Sequence, residues 1–248
     1  MDFIREQVNQ RAEIKLAPAR DYQFTTTGDV YGWHKAIDGT WFFTLFVETG
    51  RIKEAKKLAL RRIAEKLSGV EFRLTGNQNI LVANVSEADK AGVNAVFTEH
   101  GVKTDNQASV LHAAAMACPA LPTCGLALAE SERMLPGLVD RIEKLCAEAG
   151  LGGEEIIIRS TGCPNGCARP YMAEIAFVGK APGRYQLWLG GNASGTRLNR
   201  VFKDVIKEAD VETELRPLFS RYAKERNAGE RFGDWCDRTL LKEQTVTN

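Results

Sequence analysis

Residues 31–48, YGWHKAIDGTWFFTLFVE, predict two short strands joined by a tight turn. The strands are expected from Tyr31 to Ala36 and from Trp41 to Glu48. Between them stands an Asp-Gly pair at positions 38–39, which is the strongest short-range signal of a β-hairpin when apolar runs flank it. The segment therefore predicts an antiparallel pair of strands.

The segments that follow extend this pair into a unit. A helix is predicted from about Lys53 to Leu67, because its apolar residues leave most of the lysines and arginines on another face. Residues 71–85, EFRLTGNQNILVANV, predict two strands around the polar insert Thr75 to Asn79. A second helix is capped by the sequence SEAD and runs to about His100. This alternation predicts a compact α+β domain of ferredoxin-like type over residues 31–104.

The rest of the chain is expected to add an arm and a second domain. Residues 1–30 are interpreted as an N-terminal arm, whose short amphipathic helix from Asp2 to Leu16 packs on the rest. After a polar joint at 105–107, residues 105–248 are predicted to form a second α+β domain. Its predicted elements are a long helix from Leu126 to about Ala149, a strand from Glu155 to Arg159, a hairpin of residues 173–178 and 185–189, and charged helices between Arg197 and Thr239.

Composition and charge narrow the possible partners. The 248 residues contain 33 lysines and arginines against 32 acids, so no bulk field attracts nucleic acid. The N-terminus lacks the apolar core of a signal peptide, and no apolar run reaches membrane-spanning length. We therefore expect a cytoplasmic protein with neither nucleic acid nor a membrane as partner.

Four of the six cysteines stand in two tight pairs. Cys118 and Cys124 lie in CPALPTC, and Cys163 and Cys167 lie in TGCPNGC. Proline and glycine bend both segments, and such bends can aim several thiolates at one point, as a metal or iron–sulfur site requires. The other two cysteines stand in helix-like stretches and are assigned no role.

The spacing alone leaves more than one interpretation open. Structural zinc sites favour C-x2-4-C knuckles, whereas these pairs are C-x5-C and C-x3-C. Disulfides are disfavoured in a reducing compartment. An iron–sulfur cluster accepts irregular loops, so it is the favoured interpretation and zinc the alternative. The predicted helix after Cys124 would also place a positive dipole end beside that thiolate.

Three longer segments carry a resemblance to a known family. Residues 117–133 (ACPALPTCGLALAESER), 159–192 (RSTGCPNGCARPYMAEIAFVGKAPGRYQLWLGGN) and 195–198 (GTRL) resemble the C-terminal half of siroheme sulfite and nitrite reductases. The likeness extends from about residue 2 to 239. It implies that a [4Fe–4S] cluster is bound by four ligands, Cys118, Cys124, Cys163 and Cys167. It also implies that Cys167 is the axial ligand of siroheme iron and so couples the two groups.

The same resemblance suggests further cofactor contacts. Thr75, Asn77 and Gln78, in FRLTGNQN, resemble the polar motif that meets siroheme in this family, although a polar turn between strands is the simpler interpretation. Thr161 and Asn165 flank the cysteines and are expected to donate hydrogen bonds to the macrocycle or to cluster sulfurs. Three further cations are candidates for the siroheme carboxylates, namely Lys180, Arg184 and Arg197.

The activity implied by the resemblance is the six-electron reduction of sulfite to sulfide in sulfate assimilation. Electrons would come from a flavoprotein reductase subunit or from ferredoxin, because the chain has no dinucleotide or flavin motif. A nitrite reductase fragment and a non-catalytic iron–sulfur electron-transfer module are the alternatives. Only one ferredoxin-like repeat is visible, so a separate N-terminal-half polypeptide is a possible partner, and no catalytic acid can be named.

Overall fold

The structure is a computed structural model that describes residues 2–245 except 23, 25 and 107. Seven helices are present in this part of the chain: α1 Asp2–Ala12, α2 Glu54–Lys66, α3 Lys90–Glu99, α4 Val110–Ala114, α5 Leu135–Glu148, α6 Val211–Glu225 and α7 Phe232–Thr245. The strands are β1 Gly32–Lys35, β2 Trp41–Leu45, β3 Glu71–Leu74, β4 Ile80–Val85, β5 Met116–Ala117, β6 Ile158–Thr161, β7 Ile175–Ala181, β8 Arg184–Leu189 and β9 Arg200–Lys207. The predicted α+β class is confirmed.

The first sheet has four antiparallel strands in the order β1-β2-β4-β3. The Asp-Gly turn joins β1 to β2 as predicted, with Gly39 at a φ of 88°, where glycine carries no Cβ penalty. Helices α2 and α3 bury one face of the sheet around Phe43, Ile63, Val82 and Phe97. All four predicted strands and both predicted helices of this unit are therefore confirmed, with small shifts at their ends.

The second sheet has five strands in the order β5-β6-β7-β8-β9. Strands β5, β6 and β7 are parallel, whereas β7, β8 and β9 are antiparallel. Helices α5, α6 and α7 contribute to its main core, in which Trp235 and Phe219 are fully buried. The predicted hairpin is confirmed as β7 and β8. The predicted strand at 155–159 lies further along the chain, as β6.

Residues 126–134 form turns and loops, so the prediction that a long helix begins at Leu126 is wrong. Helix α5 begins at Leu135. Leucine and alanine favour a helix locally, but backbone amides of this segment donate to the carbonyl of Gly162 instead. Cys124 consequently lies 11 positions before α5, so the prediction of a helix that begins directly after its thiolate is wrong.

Residues 200–207 form β9 where charged helices were predicted from Arg197 onward. The strand pairs antiparallel with β8 at the edge of the sheet. The strand carries four charged residues besides its apolar ones, and charged side chains are common on edge strands because they oppose pairing with another chain. The helical prediction is confirmed for the remainder, which forms α6 and α7.

The N-terminal helix α1 is present but shorter than predicted, and no residue of it is buried. Phe3 and Ile4 expose 72% and 60% of their surface, so the expected packing of the arm through this helix is wrong. The arm instead contacts the first sheet through Asp29, described below. The predicted polar joint includes residue 107, which lies outside the described residues. Within the described part of the chain, no helix is both long enough and apolar enough to cross a membrane.

Candidate metal centre

Parallel pairing of β5 and β6 brings the two cysteine loops together. Ala117 lies opposite Ser160, and the amide of Cys118 donates to Ser160 O at 3.2 Å. Because parallel strands end at the same edge of a sheet, Cys118 and the TGCPNGC loop start side by side. Cys118 and Cys163, which are 45 positions apart in the chain, thereby follow the same edge of the second sheet.

Gly162 is the point around which the first loop wraps. The amides of Leu128 and Ala129 donate to Gly162 O at 2.8 and 3.1 Å. A Cβ atom on Gly162 would lie 2.7 Å from Ala120 Cβ and 2.8 Å from Ala129 O. Such distances are too short for real contacts, so only glycine lets the loops approach this closely.

The sulfur of Cys118 accepts two hydrogen bonds. The amide of Gly162 donates at 3.2 Å and the hydroxyl of Thr161 at 3.5 Å, and the Thr161 hydroxyl also lies 3.3 Å from Cys163 O. Donors aimed at a thiolate stabilise its charge and tune the metal that it binds. The structure therefore brings Thr161 against one predicted ligand sulfur.

The four paired cysteines range from buried to exposed. Cys118 and Cys163 expose only 7% and 8% of their surface. Cys124 is partly buried and Cys167 is exposed. Asn165 is exposed in the same loop as Cys167. The site therefore has a sheltered side and an open side, and Cys167 lies on the open side.

The sulfurs of the four cysteines were compared with the geometry of a zinc site. Zinc–sulfur bonds of about 2.3 Å place the ligands of a tetrahedral site about 3.8 Å apart. Among the described residues, none of these cysteines belongs to a group of three ligand atoms that all lie within 4.8 Å of one another. The sulfurs therefore do not form a preformed tetrahedral zinc site.

The two remaining cysteines lie in the core of the second sheet. Burial raises the pKa of Cys146 to about 12, and the charges of Glu143 and Glu154 act in the same direction. Burial also raises the pKa of Cys236. Both remain protonated thiols near neutral pH, which agrees with the absence of any assigned role.

This difference predicts a labelling order. At pH 8, a thiol with a pKa of about 12 carries roughly a thousandfold less thiolate than an ordinary cysteine. We expect iodoacetamide to label Cys167 first in the reduced, metal-free folded protein, and Cys146 and Cys236 only after unfolding. Peptide mass spectrometry over a time course measures the order. Labelling of Cys146 as fast as Cys167 in the folded protein would contradict the assignment.

The polar insert between β3 and β4 is organised by the arm. Asp29 accepts hydrogen bonds from Thr75 Oγ1 at 2.6 Å, from Asn77 Nδ2 at 3.1 Å and from Asn79 Nδ2 at 2.8 Å. Asn79 also accepts a bond from the amide of Val47 at 2.9 Å. Thr75 and Asn77 thus have a protein partner here. Asp29 was not anticipated, because it lies more than 40 positions upstream in a segment without regular pattern.

Gln78 connects this insert to the cysteine site. Its amide nitrogen donates to Ala117 O at 2.8 Å, and its amide oxygen accepts from Ala117 N at 3.3 Å. Gln78 has a backbone φ of 67°, which residues other than glycine rarely adopt. Its side chain packs closely against Gly50. The side chain therefore fixes the residue that precedes Cys118.

A buried carboxylate makes a second connection. Glu132 exposes 6% of its surface and forms an ion pair with Arg51, whose Nη2 lies 2.6 Å from Glu132 Oε2. The amide of Glu132 donates to Cys118 O at 3.2 Å. The sequence analysis missed this pair, since nothing local marks two charges 81 positions apart as partners.

Two arginines lie next to the second cysteine loop. Arg169 donates to Gly76 O, and Arg159 Nη1 donates to Arg169 O at 2.9 Å. Burial lowers the pKa of Arg159 to about 10, and the charge of Arg169 acts in the same direction. Arg159 Nε has no hydrogen-bond partner in the described part of the chain, and the side chain lines a cavity of about 240 Å³. A positive charge with a free donor suits an anionic group.

The other candidate cations are placed differently. Lys180 Nζ lies 3.0 Å from Asp204 Oδ1, and Arg197 Nη2 lies 2.6 Å from Asp234 Oδ1. Arg184 is exposed on β8. Two of the three are therefore already paired with carboxylates.

Known proteins match this chain both over its ferredoxin-like unit and over nearly its whole length. Residues 34–100 match the family described as the nitrite/sulfite reductase ferredoxin-like half domain. The β-component of an NADPH sulfite reductase hemoprotein from Staphylococcus saprophyticus is 48% identical over 248 residues, which is 98% of this chain and 43% of that protein. Its counterpart in Bacillus subtilis is 49% identical over 250 residues, covering 99% of this chain and 44% of that protein. The chain belongs to the sulfite and nitrite reductase family.

The solved structure of NirA from Mycobacterium tuberculosis has the same fold. Its TM-score is 0.71 at 22% identity, and the match covers 95% of this chain and 45% of that protein. The chain thus spans less than half the length of the relatives that it matches. For this chain, the activity of those longer proteins is therefore a proposal.

Proposed function

We propose that the chain is the cluster-bearing, C-terminal half of a siroheme- and [4Fe–4S]-dependent sulfite reductase that reduces sulfite to sulfide with six electrons. One observation carries the proposal: the C-x5-C and C-x3-C loops leave neighbouring parallel strands at one sheet edge and pack together at Gly162, in a chain 48% identical to a sulfite reductase hemoprotein. Sulfate assimilation is the proposed physiological setting.

The cluster ligands in this proposal are Cys118, Cys124, Cys163 and Cys167. Supporting features are the two donors to the Cys118 sulfur and the C-x5-C and C-x3-C spacings, which are not those of zinc knuckles. Burial of Cys118 and Cys163 keeps water from one side of the site. A water-poor surrounding and amide donors are the features by which proteins tune such clusters.

Siroheme would supply an iron that binds sulfite, and the cluster would store the electrons for it. Cys167 is the proposed axial ligand, because its thiol is exposed while the other cysteines are wholly or partly sheltered. Asn165 is exposed beside it and is a proposed donor to the macrocycle. Arg159 is an additional candidate for the acidic side chains of siroheme, since its Nε lacks a partner among the described residues.

The other proposed contacts differ in how free they are. Thr75 and Asn77 would have to exchange Asp29 for the cofactor. Gln78 is held on both sides of Ala117, so we propose that it acts mainly by positioning the strand before Cys118. Thr161 donates toward Cys118 and is proposed as a donor to the cluster sulfurs or their ligands.

The proposed partners follow from the names of the relatives and from the share of their length that the chain covers. The relatives are named as β-components of NADPH sulfite reductases, and a β-component implies a second component that delivers electrons. We propose a flavoprotein reductase subunit in that role, with ferredoxin as the alternative donor. Because the chain spans 43% of the Staphylococcus relative, the remaining walls of the substrate pocket would come from further polypeptide.

Metal analysis tests the cluster. After anaerobic reconstitution with iron and sulfide, we expect about four irons and about four acid-labile sulfides per chain, and little zinc. We expect this result because the C-x5-C and C-x3-C spacings favour an iron–sulfur cluster over zinc. One zinc per chain without labile sulfide would contradict the proposal.

Activity tests the rest of the assignment. With siroheme and a reduced dye, the chain alone should bind the haem weakly and reduce sulfite poorly, because it is expected to supply only part of the pocket. Addition of the missing half should restore sulfide formation. A complex that reduces nitrite but not sulfite would assign the chain to the nitrite reductases instead.

A further inference from the structure

A histidine lies between two carboxylates where the helices of the second sheet face the first sheet. His112 is on α4, whose first turn is capped by Ser109, and its side chain is 16% exposed. The Nε2 atom lies 3.0 Å from Asp140 Oδ1, and the Nδ1 atom lies 3.5 Å from Glu48 Oε1. Both ring nitrogens therefore face acceptors.

A third carboxylate completes the cluster. Glu143 follows Asp140 by three positions on α5, so both side chains lie on the same face of that helix. The ligand atoms of His112, Asp140 and Glu143 all lie within 4.8 Å of one another. No other group of three such residues in the described part of the chain is this compact.

We propose that His112, Asp140 and Glu143 form a binding site for a divalent transition-metal ion such as Zn²⁺ or Mn²⁺. One imidazole and two carboxylates are a common ligand set for these ions. Metal–ligand bonds of about 2.0–2.2 Å place ligand atoms about 3.3 Å apart, which small rotations of two half-exposed or exposed carboxylates achieve. Three protein ligands leave a position for water.

Glu48 explains which nitrogen would bind the ion. Metal-binding histidines usually donate their other ring N–H to a carboxylate or carbonyl, which fixes the ring. With Nε2 directed at Asp140, Nδ1 is the ring nitrogen that faces Glu48 at 3.5 Å, and a small rotation of the Glu48 side chain brings the carboxylate within hydrogen-bond distance. This is the arrangement of a carboxylate–histidine–metal site.

The position of the cluster gives the ion a structural consequence. His112, Asp140 and Glu143 line a cavity of about 630 Å³, together with Glu48 and Lys56 from the first sheet and its helices. Lys56 is engaged with Phe46 O at 3.0 Å. An ion held by α4 and α5, with Glu48 bound to its histidine, would tie the two sheets together at a point separate from Gln78 and Arg51.

Titration with Mn²⁺ tests the proposal while avoiding the cysteines, because this hard ion binds thiolates poorly. The protein is freed of metal with a chelator, and loss of the EPR signal of free Mn²⁺ measures binding. We expect one ion per chain, at least tenfold weaker binding in His112→Gln and in Glu143→Gln, and displacement by excess Zn²⁺. His34→Gln is the matched control, because His34 is on β1 and its ring contacts Tyr31 O. The His34→Gln variant should bind Mn²⁺ as the unchanged chain does.

Two results would overturn the site. One is an undiminished free-ion signal with the unchanged chain up to millimolar Mn²⁺, which would leave His112 as an ion-paired residue alone. The other is equal binding by the His112→Gln and Glu143→Gln variants. Circular dichroism checks that each variant is folded, and Glu143→Gln keeps the test decisive if His112→Gln is not.

Discussion

Cys167→Ser is expected to disturb the bound cluster and the bound haem together. A serine oxygen is a harder and weaker ligand than a thiolate, so the affinity for both groups should fall at least about tenfold. Because Cys167 is exposed and in a loop, the fold should be unaffected. Iron content, labile sulfide and the haem absorption of the complex with the missing half measure the effect.

A matched variant separates the ligand from cysteine loss in general. Cys146→Ala removes a thiol from the core of the second sheet, where burial raises the pKa of that thiol to about 12. Its iron content and both spectra should match those of the unchanged chain. If Cys167→Ser changes the cluster alone, or the haem alone, the assignment of one sulfur to both groups is wrong.

Glu174→Ala is expected to cost about 3–5 kcal/mol in the free energy of unfolding, because it removes the buried partner of Arg231 and leaves two buried backbone amides without their acceptor. Glu174 is fully buried. Its carboxylate accepts from Arg231 Nη2 at 2.8 Å, from Ile157 N at 2.9 Å and from Gly233 N at 3.0 Å. A fourth contact comes from Arg231 Nε at 3.4 Å, and the variant loses all four. A lower urea midpoint without a change in slope is the expected measurement.

The control for this prediction is an exposed ion pair. Glu87 lies 3.2 Å from Lys90 and its side chain is 72% exposed, so Glu87→Ala should leave the urea midpoint essentially unchanged. Equal losses from the two variants would contradict the special role of the Glu174 site. That site joins the start of β7, the segment before β6 and the first turn of α7, so its loss should destabilise the whole second sheet.

Short-range signals were sufficient for the first sheet. The Asp-Gly turn, the alternating apolar residues and the SEAD cap each act over a few positions, and all of them produced the expected elements. The second sheet was harder to predict for the same reason. Helix formers in residues 126–134 were overruled by hydrogen bonds to Gly162, and the charged strand β9 is stabilised by pairing with β8 rather than by any local preference.

The candidate site divides in a similar way. The identity and spacing of Cys118, Cys124, Cys163 and Cys167 are written in the sequence, and they were sufficient to predict a thiolate metal site. The prediction that a helix begins beside Cys124 was wrong, because α5 begins only at Leu135. Asp29 and Glu132 carry no local signal, since a lone acid in a loop has many possible partners until the chain folds.

The sequence by itself determined the strand and helix order of the first sheet and the family to which the chain belongs, and it supplied the proposed ligand set. Only the tertiary structure decided how the site is held. Parallel pairing of β5 with β6, the close approach at Gly162, and the contacts of Gln78 and Arg51 join residues that are far apart in the chain. Propensity and spacing act within a few residues, whereas packing and buried hydrogen bonds act between any surfaces that the fold brings into contact.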